Sequence, residues 1–262
     1  MLGAIAGDII GSVYEFDRVK HKDFALFTDQ SAFTDDTILS VAVAEVILSG
    51  GSYAEAIKRY AQAYPDPVGG YGARFSQWAR ADSLEPYNSW GNGSAMRVSA
   101  VGFAYDDMPK VLAVAAQTAA VTHNHPEGIK GAQATAAAIL LARQEKDKQT
   151  IKDFIESTFG YDLSRSLETI RPTYSFQESC QHTVPESIIA FLDSVDFEDA
   201  IRNTISLGGD TDTMGSITGG IAEAFYGKLP DAIAQATLSR LDPPLRKVVL
   251  TFCDRYTHPY TL

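Results

Sequence analysis

Gly131-Ala132-Gln133-Ala134-Thr135-Ala136-Ala137-Ala138-Ile139-Leu140-Leu141-Ala142-Arg143-Gln144 reads as helix. Ala loses no side-chain entropy in a helix and ranks first among helix formers. Its small side chain also lets neighbouring helix axes approach closely. The same periodicity recurs in Ile38-Val41-Glu45-Leu48 and in Val111-Val114-Ala115-Thr118. Helix starts are signalled by Thr34-Asp35-Asp36 before the first of these runs and by Asp210-Thr211-Asp212 before Met214 to Tyr226. Strand-like runs are scarce: Arg97-Val98-Ser99-Ala100-Val101 is brief and flanked by Ala. The pattern predicts an all-α, bundle-like fold. The stretch from about Gly160 to Pro185 is more polar and carries Cys180, His182 and two prolines; it is expected to be a loop-rich excursion lining a site mouth.

The chain has 262 residues, with 22 Lys and Arg against 33 Asp and Glu, for a net charge of −11. A hydrophobic share of 45% and a charged share of 21% describe a globular protein with enough chain for a substantial core. An acidic pI near 4.8 argues against bulk-charge nucleic-acid binding, which needs clustered cations on the phosphate backbone. Cys180 and Cys253 are too few for a disulfide framework or a thiolate zinc site and are expected to be reduced. Met1 to Asp8 is apolar but lacks a basic leader, so it predicts a buried helix rather than a signal peptide. Ile38 to Leu48 is too short to span a bilayer, which needs about 20 residues. No membrane association and a cytoplasmic location are expected.

Two acidic segments carry the chemistry: Phe33-Thr34-Asp35-Asp36-Thr37 and Gly208-Gly209-Asp210-Thr211-Asp212-Thr213. Each sets two carboxylates and a hydroxyl at a helix entrance. Such hard oxygen donors suit Mg²⁺, Mn²⁺ or Ca²⁺ rather than zinc or copper. Asp35 and Asp36 point in different directions from a helix start. Asp210 and Asp212, two apart in a stretch expected to be extended, project to one side. Gly208 and Gly209 allow a tight turn. One such cluster is most often a pair of helix caps. Two of them, if close in space, would need a divalent cation to offset four carboxylates. Their separation along the chain leaves that proximity open.

Five ordered motifs from Gly3 to about Gly227 resemble the ADP-ribosylglycohydrolases, the family of dinitrogenase-reductase-activating glycohydrolases and ADP-ribosyl-acceptor hydrolases. They are Gly7-Asp8-Ile9-Ile10-Gly11-Ser12-Val13-Tyr14-Glu15, the two acidic segments, Ser89-Trp90-Gly91-Asn92-Gly93-Ser94-Ala95-Met96-Arg97, and Thr122-His123 followed by Gly128 and Gly131-Ala132.

The resemblance implies a compact single-domain orthogonal helical bundle over residues 1–262, holding two divalent cations, Mg²⁺ or Mn²⁺. By position Thr34, Asp35, Asp36, Asp210, Asp212 and Thr213 would be the ligands. The implied reaction is hydrolysis of the glycosidic bond joining ADP-ribose to a protein side chain or small molecule, so an ADP-ribosylated protein or small ADP-ribose conjugate is the expected partner. Glu15 and Asp35 are the catalytic candidates, Glu15 as acid or base near C1″ and Asp35 as a carboxylate able to take a proton from water. Without the resemblance, Glu15 reads as a surface glutamate. Ser89, Trp90, Gly91, Asn92 and Gly93 would bind the pyrophosphate through neutral donors, with Trp90 stacking on adenine; otherwise they read as an Asn-Gly turn beside a core aromatic. His123 would face the diphosphate or ribose, and its plain alternative is a helix-terminal histidine satisfied by backbone. A Cys180–His182 thiol nucleophile lacks supporting context. Two rivals remain: a dinuclear-metal phosphohydrolase acting on a nucleotide or ADP-ribose derivative, disfavoured by the lack of a His-Asp dipeptide, and a non-catalytic relative, disfavoured by the intact ligand positions. The chain is shorter than many family members, consistent with a small acceptor.

Overall fold

The computed structural model describes residues 1–260. Its described residues form fifteen helices: α1 (Leu2–Gly11), α2 (Asp35–Ser49), α3 (Tyr53–Ala63), α4 (Ala73–Arg80), α5 (Gly93–Met96), α6 (Ser99–Ala104), α7 (Met108–Ala120), α8 (Pro126–Arg143), α9 (Lys148–Phe159), α10 (Leu167–Ile170), α11 (Cys180–Leu192), α12 (Phe197–Ile205), α13 (Thr211–Tyr226), α14 (Asp231–Arg240) and α15 (Pro243–Tyr256). The fold is all-α. No strand occurs among the described residues, and β-type pairing is limited to isolated bridges, Thr34 with Val68 and Gly91 with Ser179. The Ala-rich run from Gly131 to Arg143 lies in α8, buried from Gly131 to Ala142 apart from Gln133, and Gln144 is its C-cap.

The centre of the molecule is the crossing of α1 and α13. Every residue of α1 is buried, as are those of α13 from Thr211 to Glu223. Around α13 pack α8, α11 and α12, while α1 also meets α2 and α14. Gly3, Gly7 and Gly11 recur every fourth residue on α1 and face Gly219, Gly215 and Thr211 of an antiparallel α13. A Cβ on Gly7 would overlap the Gly215 carbonyl, and one on Gly11 would lie 2.6 Å from the Asp212 amide nitrogen. Only glycine permits this approach. It brings the carboxyl end of α1 against the amino end of α13.

The segment from Gly160 to Pro185 departs from expectation. Extended chain and the short α10 occupy its first part, but α11 begins at Cys180, so Cys180, His182 and Pro185 stand on a helix. The reason is visible in the packing: Cys180, Val184 and Ile188, four apart, are all fully buried and make one apolar stripe. The part preceding α11 does reach a cleft mouth, through Phe176 and Glu178. Asp210 and Asp212 also differ from the extended arrangement expected, because Thr211 already opens α13 and Asp212 sits in its first turn. Both cysteines are free thiols. No helix among the described residues is long and apolar enough to cross a membrane.

Candidate active site

Three chain segments end on one cleft of about 520 Å³. The first is the end of α1 and the turn beyond it. Asp8, fully buried, accepts hydrogen bonds on its two oxygens from Thr34 N (3.1 Å), Thr34 Oγ1 (2.7 Å), Thr37 N (3.1 Å) and Thr37 Oγ1. That carboxylate therefore anchors the start of α2. Thr34 caps α2 by accepting from the Asp36 amide at 3.2 Å, so its Oγ1 donates to Asp8 and keeps one lone pair uncommitted.

The second and third segments are the amino ends of α2 and α13. Gly208, at φ +64°, turns the chain out of α12 into this approach. The Thr213 hydroxyl lies 3.4 Å from Asp36 Oδ1. Glu15, Asp210 and Asp212 each place a carboxylate oxygen within 4.8 Å of the others. The spacing of the two helices is held by one carbonyl: Ser40 of α2 and Ser216 of α13 both donate to Met96 O, at 3.3 and 3.0 Å. The sequence segments around positions 35 and 210 therefore meet, and Glu15 joins them.

Crowding these acids has a clear electrostatic consequence. Burial foremost, and then the Asp212 charge, holds Asp35, Asp36 and Asp210 well above the usual carboxylate range. The same two causes raise Glu15 to about 8, with Asp8 adding to them. Asp8 rises to about 7 through burial and Asp212, against the opposing hydrogen bonds from Thr37 and Thr34. Asp36 Oδ2 is buried without any hydrogen-bond partner. None of these acids takes part in an ion pair among the described residues. A buried orphan acceptor within an all-oxygen donor set fits a hard divalent cation.

Opposite the acids runs the glycine-rich loop. It is pinned to the segment before α11: Asn92 N donates to Glu178 O at 2.7 Å, Cys180 N to Trp90 O at 3.1 Å, and Cys180 Sγ to Gly91 O at 3.0 Å. Ser89 Oγ accepts from the Gly91 amide at 3.1 Å and Ser89 N donates to Thr122 O at 3.3 Å. Asn92 turns its side-chain amide away from the loop, donating to Asp210 Oδ2 at 2.7 Å and Thr183 Oγ1 at 3.2 Å. In this arrangement Asn92 orients a carboxylate. Trp90 stands on the rim, 47% exposed, as an outer wall with Phe176 rather than a core aromatic. Gly91, Gly93 and the buried His123 line the cleft as well. His125 does not: its Nδ1 caps α8 by accepting from the Glu127 amide at 3.1 Å.

Two residues gain roles that the sequence analysis did not give them. Asp8 is the hub of the α2 start; its signal was a carboxylate inside an otherwise apolar helix. Cys180 is a buried strut for the glycine loop. Burial pushes its thiol up to about 12, so it is not a ready nucleophile.

The family model described as ADP-ribosylglycohydrolase matches residues 1–260. Among curated proteins, the chain is 28% identical to the ADP-ribosylhydrolase ARH3 of Bos taurus, covering 90% of this chain and 87% of that protein. It is 27% identical to ARH3 of Homo sapiens, with the same coverages. A solved structure, an ADP-ribosylglycohydrolase-related protein complex, superposes with a TM-score of 0.71 at 23% identity, over 96% of this chain and 95% of that one. That likeness establishes the fold.

Proposed function

The chain belongs to the ADP-ribosylglycohydrolase family, and on that premise we propose a cation-dependent hydrolase in which the amino ends of α2 and α13 grip two divalent cations over the distal ribose of an ADP-ribose conjugate. Glycosidic hydrolysis at ADP-ribose follows from the family, and an ADP-ribosylated molecule is its substrate. The observation that carries the cation assignment is the buried, unpartnered Asp36 Oδ2 beside Thr213. Thr34, Asp35, Asp36, Asp210, Asp212 and Thr213 would hold the ions. Mg²⁺ and Mn²⁺ suit this donor set. When bound, the cations supply Lewis acidity and positive charge at the ribose.

The protein's own groups do the rest. Breaking the bond from C1″ to the acceptor atom develops positive charge at C1″, water adds its hydroxyl there, and the acceptor leaves with a proton. Glu15, whose carboxylate stands beside those of Asp210 and Asp212, would deliver that proton and afterwards accept one from water. Asp35, half-buried and lining the cleft, would be the second carboxylate able to take a proton from water. Asn92 fixes Asp210 through its 2.7 Å hydrogen bond. With the Ser89, Gly91 and Asn92 amides already hydrogen-bonded within the protein, the Trp90 and Gly93 amides and His123 would be the donors to the diphosphate, and the Trp90 ring would offer a stacking surface for adenine. The ARH3 alignments run over 316 residues against 262 here, so those relatives carry insertions that this chain lacks. The lack of those insertions supports a small-molecule conjugate as the substrate.

The test is a substrate panel of ADP-ribosyl-arginine, an ADP-ribosyl-serine peptide and ADP-ribose-1″-phosphate, each with Mg²⁺, Mn²⁺ or EDTA. Free ADP-ribose released only with cation is expected. Release that persists in EDTA would overturn the cation assignment, and AMP with ribose 5-phosphate would indicate a phosphohydrolase.

A further inference from the structure

The wall that carries His123 contains a chain of hydrogen bonds running from Arg97 through Thr122 to the ring. Arg97 is fully buried, and its Nη2 donates to Thr122 Oγ1 at 2.9 Å and to Thr118 O at 3.2 Å. Burial lowers its pKa only to about 10, so near neutral pH it is a cation that donates and never accepts. The Thr122 hydroxyl is likewise fully buried and stands 2.7 Å from His123 Nδ1. Of its two hydrogen-bond partners Arg97 can only donate, so the buried hydroxyl's own proton is satisfied when Nδ1 accepts it, whereas an Nδ1–H would leave that proton without an acceptor among them. A neutral imidazole that accepts on Nδ1 carries its proton on Nε2.

Nε2 is the edge turned toward the substrate loop. A Cβ built on Gly93 would lie 3.0 Å from it, and one on Gly91 3.5 Å. We infer that Arg97 and Thr122 are positioning residues that lock His123 as the neutral Nε2–H tautomer, so that it meets a diphosphate oxygen as a hydrogen-bond donor. This rests on the proposed function only in naming the diphosphate.

The surroundings agree. The charged and titratable groups around the ring are Arg97 after α5, Arg74 of α4 and Tyr87, whose ring centroid is 6.0 Å away. Burial, with both arginines, holds the imidazole well below its usual pKa, so the ring stays neutral. A neutral ring has two tautomers, and only one suits the ligand. With the proton on Nδ1, the Nε2 lone pair would confront phosphate oxygens and the buried Thr122 proton would lose its acceptor, so both ends of the ring disfavour that tautomer. Val at position 122 keeps the shape and deletes the donor, whereas Ser keeps the donor.

The experiment is long-range ¹H–¹⁵N correlation spectroscopy of ¹⁵N-histidine-labelled protein, with His123 assigned by its loss in His123→Asn, alongside calorimetric titration with ADP-ribose. The wild type and Thr122→Ser should show His123 with a protonated Nε2 and a bare, hydrogen-bonded Nδ1. Thr122→Val should populate the Nδ1–H form and bind ADP-ribose roughly 10-fold more weakly, the loss expected for one hydrogen bond to a charged group. Thr122→Ser should bind within about 2-fold of wild type on the same reasoning. Wild-type protein with Nδ1 protonated would overturn the inference, as would Thr122→Val with unchanged tautomer and affinity. Wild-type protein that shows the Nε2–H tautomer yet fails to bind ADP-ribose would support the relay and count against the proposed function instead.

Discussion

Thr213 Oγ1 and Asp36 Oδ1 lie 3.4 Å apart although 177 positions separate them along the chain. That pair marks where the amino ends of α2 and α13 converge, and the glycine ladder between α1 and α13 explains how Glu15 reaches the same place. Each part of this arrangement has a measurable consequence.

The first concerns pH. In cation-free protein, Asp35, Asp36 and Asp210 retain protons well above the usual carboxylate range, and Asp8 and Glu15 titrate near 7 and 8. In the unfolded chain these acids lose their protons near pH 4. Between the two ranges the folded state binds more protons, so stability is full below the unfolded values and is lost as pH rises through the folded ones. Thermal melts in EDTA should therefore fall by several degrees from about pH 6 to about pH 8.5. Mg²⁺ or Mn²⁺ should raise the melting temperature more at the higher pH, because fewer protons compete. A flat EDTA profile, or melting indifferent to cation at both pH values, would contradict the crowded-acid picture.

Asp36→Asn separates stability from function. An amide at this position escapes the cost of burying an acid, set first by desolvation and then by repulsion from Asp212, Asp8, Asp35 and Asp210. Urea unfolding in EDTA should show the variant more stable by about 1–2 kcal/mol, while turnover is lost. Asp35→Ala and Asp212→Ala should likewise abolish turnover with the helical circular dichroism retained. Full activity in these variants would refute the ligand assignment.

Glu15→Gln addresses proton transfer. Its carboxylate sits beside Gly69, at whose built Cβ it would be 3.2 Å away, and among Asp210 and Asp212. Turnover should drop about 100-fold or more, the usual scale for losing a general acid–base group, with ADP-ribose affinity within about 3-fold of wild type. Parallel losses in both would make Glu15 a binding residue alone.

Gly7→Ala tests the helix crossing. The added methyl would occupy the position of the Gly215 carbonyl, so α1 and α13 must separate. A cost of about 3 kcal/mol, at the upper end for overpacking, would lower the melting temperature by roughly 10 °C. Cation affinity should fall too, since α1 carries the Asp8 anchor of the α2 start, and with it Asp36, away from Asp212 and Thr213. Gly50→Ala, with nothing near its Cβ, is the control for added bulk, though its φ of +78° adds local strain. Wild-type stability and cation affinity in Gly7→Ala would refute the crossing as the device that assembles the site.

The helical class was legible because Ala runs and helix caps are local signals. Thr34 caps α2 and the Ala-rich run lies in α8, both as the periodicity implies. The hydroxyls and carboxylates at 34–36 and 210–213 were legible as hard donors, since residue type alone sets that chemistry. Their meeting was not, because no local pattern states that Gly7 packs on Gly215. Gly3, Gly7 and Gly11 announce a ridge of small residues without naming the partner. Asp8 stands in a recognisable motif, but its four donors come from Thr34 and Thr37, and that closure is tertiary. At 160–185 the polar composition hid the buried stripe of Cys180, Val184 and Ile188, which packing against the core turns into a helix face.

The most direct test of the account is an anomalous difference map from crystals soaked in Mn²⁺. The arrangement predicts strong peaks between the 34–36 and 210–213 segments, in reach of Asp36, Asp212 and Thr213 and with Glu15 alongside. A map with no peak there, from protein that still releases ADP-ribose from its conjugates, would contradict it.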